Sequence, residues 1–250
     1  MGRMMCASPP RHGSLRSALL AWVLPALLCV SPLADACDGK ATLHDATPKQ
    51  VQAFVRSRHL DVLSFAGYSG AGYNDREVML AQAKAKAVLS KFEPRRTLVN
   101  IGATEEGIGA VYELANGMGF ATIGIVSVLA REQGVALSKC VDDVFFVRDT
   151  TWGGRLPGSS ALSPTSTAIV RASRTIVGIG GGAIARDEMT AARRAGKRVI
   201  FVPADMDHER AREAARAKGQ PAPTDFRGAA HAAFGPARTA HEGERSGHSR

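Results

Sequence analysis

The chain is poor in aromatic residues, and this shortage narrows the class of fold. Phe, Trp and Tyr make up 6% of the 250 residues, whereas hydrophobic residues make up 45%. The low aromatic content favours helices packed closely on a sheet over an aromatic-rich β-sandwich. A chain of this length predicts one domain of ordinary size with room for flexible ends.

Cysteine is also scarce, and the motifs of metal centres are missing. The sequence has no CxxC or HExxH motif and no histidine cluster, so we predict no metal site and no cofactor. Of the four cysteines, only Cys37 and Cys140 lie beyond the N-terminal segment. An oxidising compartment would allow them to pair, but no pattern brings them together. We expect an unpaired terminal cysteine and a buried one.

The positive charge is not concentrated in one place. The formal net charge is +9, but basic side chains are scattered along the chain and partly offset by acids. Because there is no basic stripe with interleaved aromatic residues, we predict no specific binding of nucleic acid. A basic balance also favours anionic small ligands, and we expect a partner of that kind.

The first 36 residues are typical of a secretory signal. Three arginines precede an apolar stretch over residues 18–33, which two prolines interrupt. Ala34 and Ala36 then satisfy the small-x-small rule for cleavage, so we predict removal of residues 1–36 and an exported, periplasmic protein without a membrane span. Cys37 would be the first mature residue, so a lipid anchor there is an alternative. A wrongly assigned start would instead make the protein cytoplasmic.

Strand-like and helix-like segments alternate over most of the remaining chain. The strand segments are mainly continuous apolar runs, which is typical of strands buried on both faces of a parallel sheet. Six strands are predicted, over residues 61–66, 97–101, 121–128, 141–147, 175–179 and 198–202. The alternation predicts an α/β fold with a doubly wound, mostly parallel sheet, which is a Rossmann-like three-layer sandwich.

The composition changes near residue 218, after a charged segment predicted to be a helix. We assign residues 37–218 to one Rossmann-like nucleotide-binding domain. From Gly219 onward the chain is rich in Gly, Pro, Ala, His and charge, with few large apolar residues. Residues 219–250 are therefore predicted to form a disordered basic tail.

Three glycine-rich turns follow strands at the carboxyl edge of the predicted sheet. Their candidate ligand-binding residues are Gly67 and Ser69 in the first turn, Gly102, Thr104 and Gly107 in the second, and Gly180, Gly181 and Gly182 in the third. A turn without side chains lets the backbone approach a ligand, and free N–H groups at a helix start favour phosphate. Each turn alone is also explained by a tight connection. Together they predict a site for a nucleotide or sugar phosphate.

Two of these turns resemble motifs of the LOG-like proteins, once called lysine decarboxylases. GATEEGIGAVYELA is similar to their GGGxxGLMG segment, and GGAIARDE has the spacing of PGGxGTxxE. Gly181 and Gly182 match the glycine pair of that motif, and Glu188 matches its glutamate. The resemblance covers residues 60–205 and extends to the SLOG superfamily of Rossmann-like proteins, which includes DprA-like proteins.

The resemblance implies hydrolysis of the N-glycosidic bond of a nucleoside 5′-monophosphate. Such a reaction passes through a cationic sugar, which the carboxylate of Glu188 would stabilise. Arg155 is the best candidate for the family's catalytic arginine, and Arg148 is second. Ile184 and Ala185 replace the family's glycine and threonine, so one hydroxyl that would contact phosphate is missing.

That missing hydroxyl keeps a second hypothesis open. The alternative to a hydrolase is a non-catalytic, exported ligand-binding or sensor domain of the same fold. For Glu188 the simpler explanation is an acid stabilised by a helix N-terminus, and for Arg155 it is a solvated loop arginine. The resemblance further implies a homodimer.

Overall fold

The computed structural model describes residue 37 and residues 39–236. The predicted signal, residues 1–36, and the last fourteen residues, 237–250, lie outside this range. The described strands are β1 (Thr42–Ala46), β2 (Asp61–Gly67), β3 (Thr97–Ile101), β4 (Ala121–Ser127), β5 (Asp143–Val147), β6 (Thr175–Ile179) and β7 (Arg198–Val202).

Eight α-helices accompany the strands in this part of the chain. They are α1 (Pro48–Arg58), α2 (Asp75–Leu89), α3 (Val111–Gly117), α4 (Leu129–Glu132), α5 (Pro164–Ala172), α6 (Ala183–Arg194), α7 (His208–Ala217) and α8 (Gly228–Phe234). Short 3₁₀ turns at Pro94–Arg96 and Gly107–Ala110 precede β3 and α3. None of the helices within residues 39–236 has the length and apolar character needed to cross a membrane.

All seven strands join one sheet, and every neighbouring pair is parallel. Successive side chains of a strand point to opposite faces. Val62 and Leu98 therefore face a core shared with α1 and α5, whereas Leu63 and Val99 face a core shared with α2 and α3. The α/β prediction is confirmed, and burial on both faces explains why the strands are continuous apolar runs.

The strand order reverses between β2 and β6. The order across the sheet is β1-β5-β4-β3-β2-β6-β7, so the chain winds from β2 toward β5 and then crosses back to β6. In open α/β sheets, ligands bind beyond the carboxyl ends of the strands at such a reversal. Because Gly67 of β2 pairs with Ile179 of β6, the first and third glycine-rich turns start side by side there.

The structure corrects the expectation of unpaired cysteines. Cys37 and Cys140 form a disulfide that links positions 103 residues apart. The N–H group of Thr42 donates to the carbonyl of Asp142 at 2.8 Å, which places the start of β1 beside the loop that carries Cys140. Since the disulfide uses the sulfur of Cys37, the alternative of a lipid thioether on that residue is incompatible with this structure.

Part of the predicted disordered tail is also corrected. The N–H group of Met206 donates to the Phe226 carbonyl at 2.9 Å, and α8 packs against α6 with Ala230 completely buried. The guanidinium carbon of Arg193 lies 4.2 Å from the ring centroid of Phe234 and holds the end of α8. A small alanine and the rings of Phe226 and Phe234 supply the contacts, so the shortage of large apolar residues did not prevent ordering.

Breaking the disulfide is expected to lower the free energy of unfolding by about 2–5 kcal/mol, because a long loop of the unfolded chain is no longer closed. Urea unfolding of the protein with and without dithiothreitol measures this. The Cys140→Ser variant is the control, since it has no disulfide to reduce and should not respond to the reductant. Equal free energies for the oxidised and reduced wild type would contradict the prediction.

Candidate functional site

A buried tyrosine hydroxyl joins the two strands at the reversal point. The hydroxyl of Tyr73 donates to the carbonyl of Ile179 at 2.7 Å and accepts the N–H group of Tyr68 at 3.1 Å. It therefore connects the carboxyl end of β2 with that of β6. Burial raises the pKa of Tyr73 far above its usual value, so the hydroxyl remains a neutral donor.

A second tyrosine fixes the turn after β3. The hydroxyl of Tyr112 accepts the N–H groups of Ile101 and Ala103 at 3.1 and 3.2 Å and donates to the carbonyl of Ile123 at 2.7 Å. Tyr112 is completely buried, and burial raises its pKa. Ala103 has a φ of 63°, a left-handed conformation that is uncommon outside glycine. The Tyr112 hydroxyl helps to hold that conformation.

The third tyrosine of the chain covers the turn after β6. The hydroxyl of Tyr68 lies 3.4 Å from the carbonyl oxygens of both Ala204 and Phe226. Burial raises the pKa of Tyr68 to about 12, although a backbone hydrogen bond with Gly181 acts in the opposite direction. Tyr68 thus ties the third turn to the chain that follows β7, including the segment that leads into α8.

Four of the predicted ligand glycines are required by packing within the protein. A Cβ on Gly67 would lie 2.2 Å from the Tyr73 hydroxyl, and one on Gly107 would lie 2.1 Å from the Tyr68 carbonyl oxygen. Gly107, Gly180 and Gly181 also have positive φ values. A Cβ would lie 2.5 Å from the Tyr68 ring at Gly180 and 2.6 Å from Ala185 at Gly181. These glycines need no ligand to explain them.

The remaining predicted residues face open space. A Cβ on Gly102 or Gly182 would meet no atom within 4 Å. Gly182 is the N-cap of α6 and supplies no side chain to its first N–H groups. The hydroxyls of Ser69 and Thr104 lie 3.0 Å apart in an exposed contact between the first two turns. We call these four residues the open part of the carboxyl edge.

Glu188 is a buried acid on α6. Its side chain is 4% exposed, and Oε1 accepts the hydroxyl of Ser166 on α5 at 2.6 Å. Burial raises the pKa of Glu188 from 4.5 to about 7, the Ser166 hydrogen bond lowers it, and the neighbouring charge of Asp187 raises it. Glu188 therefore keeps its proton to a higher pH than an exposed glutamate does.

A glycine-containing loop lies directly over this acid. A Cβ on Gly153 would lie 3.0 Å from the Ser166 hydroxyl and 3.8 Å from Oε1 of Glu188. The N–H group of Gly154 donates to the Ser166 hydroxyl at 2.7 Å. Both glycines have positive φ values, which permit this close approach. We call residues 149–155 the strap.

Asp149 anchors the beginning of the strap to α5. Its carboxylate accepts the N–H groups of Thr151 and Thr165, each at 2.8 Å. Burial by itself would raise the pKa of Asp149, but these hydrogen bonds outweigh it and hold the pKa below its usual value. Ser163 beside it is the N-cap of α5, because its hydroxyl accepts the N–H group of Ser166 at 3.4 Å.

The structure does not pair Arg155 with Glu188. The Nε atom of Arg155 lies 3.7 Å from Oδ1 of Asp187, a carboxylate that Arg186 also contacts at 2.9 Å. Arg155 lines a cavity of about 310 Å³ along α6, together with Asp187 and Arg194. In the described part of the chain no contact joins Arg155 to Glu188, and the second candidate, Arg148, is exposed just after β5.

Sequence reasoning missed Ser166 and the three tyrosines. Tyr68 and Tyr73 stand at the two ends of the first glycine-rich turn. That position in the sequence was the available signal that they help to shape the turn. Ser166 lies in the first turn of a helix between two threonines, and its buried position depends on the contact with α6, so only the tertiary structure identifies it.

A larger cavity than the one beside Arg155 lies at the opposite edge of the sheet. It measures about 670 Å³ and is lined by residues at the amino ends of β2, β3, β6 and β7, among them Asp61, Thr97, Thr175 and Arg198. We place the candidate site at the carboxyl edge instead, because the reversal of strand order, the uncapped start of α6 and the buried acid all lie there.

No protein-family model matches the chain, and no curated protein sequence matches it. Among solved structures it is similar to the Moco carrier protein of Chlamydomonas reinhardtii, with 16% identity, a TM-score of 0.42, and coverage of 64% of this chain and 85% of that one. The molybdenum cofactor binding protein of Rippkaea orientalis gives 14% identity, the same TM-score and the same coverage.

DNA processing protein A from Streptococcus pneumoniae is similar over 68% of this chain and 60% of its own, with 10% identity and a TM-score of 0.39. Identities and TM-scores this low assign no function to this chain, and the proposals below rest on its own residues.

Substitution by alanine is expected to affect the packed glycines and the glycines in the open part of the carboxyl edge differently. Gly180→Ala should lower the free energy of unfolding by about 2 kcal/mol or more, because φ is positive and the methyl group meets the Tyr68 ring. Gly182→Ala, the matched control two residues away, should change it by less than about 1 kcal/mol. Urea unfolding measures both variants, and equal losses would contradict the distinction.

Glu188 is expected to make stability fall as pH rises from about 4.5 to about 7. The unfolded chain releases this proton near 4.5 whereas the folded protein keeps it until about 7, so the unfolded state binds fewer protons in between. The difference corresponds to roughly 3 kcal/mol. Urea unfolding across this range should show the fall in wild type and a flatter profile in Glu188→Gln; superimposable profiles would refute it.

Proposed function

We propose that this protein binds a nucleotide or sugar phosphate at the open part of the carboxyl edge, with the phosphate at the start of α6. One observation carries the proposal: Gly182 leaves the first N–H groups of α6 uncapped and faces open space at the reversal of strand order. Such N–H groups, together with the helix dipole, favour a phosphate.

The surroundings of Gly182 fit the rest of such a ligand. The hydroxyls of Ser69 and Thr104 are exposed hydrogen-bonding groups on the neighbouring turns. Trp152 on the strap and Ile184 in the first turn of α6 are 41% and 39% exposed, which leaves apolar surface beside the helix start. An exposed indole next to a phosphate site is suited to stacking on a base.

Hydrolysis of an N-glycosidic bond is the second candidate function. It is favoured by the pKa of Glu188, about 7, which suits a group that exchanges a proton at neutral pH. The arginine that the LOG-like resemblance implies is directed to Asp187 instead. Ligand binding without turnover therefore has the stronger support from the geometry.

Export to an oxidising compartment is proposed for this protein. The Cys37–Cys140 disulfide supports it, because such bonds persist mainly in secreted and periplasmic proteins. The homodimer implied by the resemblance remains a prediction.

A thermal-shift titration with nucleoside 5′-monophosphates and ribose 5-phosphate tests the binding proposal, with unphosphorylated nucleosides as controls. At a hundred times the dissociation constant, a ligand adds about 2.7 kcal/mol, which raises Tm by about 5–10 °C in a domain of this size. Free base measured in the same samples tests hydrolysis, which should require Glu188.

Gly182→Ala should weaken the binding of the phosphorylated ligand about tenfold, because the added methyl group would lie at the start of α6, where the phosphate is proposed to bind. Gly117→Ala, another glycine whose Cβ meets no atom within 4 Å, is the control and should bind as wild type does. No shift with any phosphorylated compound, or an equal shift with the nucleosides, would rule out a phosphate site.

A further inference from the structure

Ser166 places one hydroxyl between the strap and the buried acid. The residue is completely buried in the first turn of α5. Its Oγ lies 2.7 Å from the Gly154 nitrogen above it and 2.6 Å from Oε1 of Glu188 on α6. One atom of α5 therefore contacts two other segments of the fold, the strap and α6.

The direction of these two hydrogen bonds follows from the groups involved. An amide N–H only donates, so the Ser166 oxygen accepts from Gly154. The hydroxyl proton is then directed to Oε1 of Glu188. With Oε1 used as an acceptor, the proton that Glu188 carries below its pKa resides on Oε2.

We propose that Ser166 is the positioning residue of this site: its hydroxyl orients the Glu188 carboxyl and, through the same atom, binds the Gly154 amide of the strap above it. Two further hydrogen bonds fasten the strap to the start of α5: the Ser163 N–H group donates to the Gly154 carbonyl and the Thr165 N–H group to Asp149, each at 2.8 Å. This role goes beyond the proposed function and rests on it only for the identity of the ligand. The positioning itself is a property of the free protein.

None of the charged side chains described near Glu188 offers another group that would orient its carboxyl. Asp187 raises the pKa of Glu188, and its own carboxylate is occupied by Arg155 and Arg186. Asp149 of the strap is committed to the N–H groups of Thr151 and Thr165. Within residues 39–236, Ser166 is the hydrogen-bond partner recorded for the Glu188 carboxyl.

The shared hydroxyl couples access to the site with the charge of the acid. A ligand that displaces Gly153 and Gly154 removes the amide from Ser166 and admits water to Glu188. Hydration favours the ionised carboxylate, so opening the strap promotes release of the proton from Oε2.

The experiment is an NMR pH titration of the full chain without ligand, following the Glu188 carboxyl carbon and the Gly154 amide. In wild type both signals should titrate with one midpoint, because the amide reaches the carboxyl through a single hydroxyl. Glu188→Gln should abolish the titration of the Gly154 signal. This wild-type measurement tests the coupling even where a Ser166 variant is unstable.

Ser166→Ala is the direct test. It should raise the Glu188 midpoint, because a hydrogen bond that stabilises the carboxylate is lost, and it should speed amide exchange at Gly154 about tenfold. Thr167→Ala is the matched control, since it removes a hydroxyl of the same helix whose hydrogen bond goes to the Leu162 carbonyl. It should leave the Glu188 midpoint and the exchange rate of the Gly154 amide unchanged.

Different results separate this inference from the proposed function. Independent titration of Gly154 and Glu188 in wild type, an unchanged midpoint in Ser166→Ala, or an equal change in Thr167→Ala would overturn the positioning role. Absence of phosphate binding would overturn the proposed function and leave the midpoints as expected here.

Discussion

The candidate site depends on the two hydrogen bonds made by the Tyr73 hydroxyl. It lies between the carboxyl ends of β2 and β6, where it satisfies one buried carbonyl and one buried N–H group. Leaving either group buried without a hydrogen-bond partner would lower the free energy of unfolding by about 1–3 kcal/mol. The contact requires that residue 67 be glycine, and it places the two neighbouring turns within reach of one ligand.

Around this contact the carboxyl edge divides into a packed half and an open half. Tyr68, Gly180 and Gly181 are covered by the chain that follows β7 and by α8, where the Ala230 N–H group donates to the Gly181 carbonyl at 3.0 Å. Gly182 and the start of α6 remain open, beside a strap that covers Glu188. A glycine-rich turn can therefore serve internal packing and ligand approach at adjacent positions.

The strands buried on both faces were predictable, and β3, β6 and β7 have the predicted bounds. β1 was missed because TLHDA is a half-exposed edge strand without an apolar run. The disulfide was missed with it, since the position of β1 brings Cys37 to Cys140. At the site, the local sequence pattern was enough to find the glycines. The roles of Ser166 and Arg155 depend on how α5 and α6 pack against each other, and a local pattern does not predict that packing.

The most direct test of the site is an amide chemical-shift titration of the protein with a nucleoside 5′-monophosphate. We predict the largest changes at Gly182, Ala183 and Ile184, with further changes at Gly102 and Thr104. Largest changes among the residues of the 670 Å³ cavity at the amino edge, such as Arg198, would contradict the location of the site.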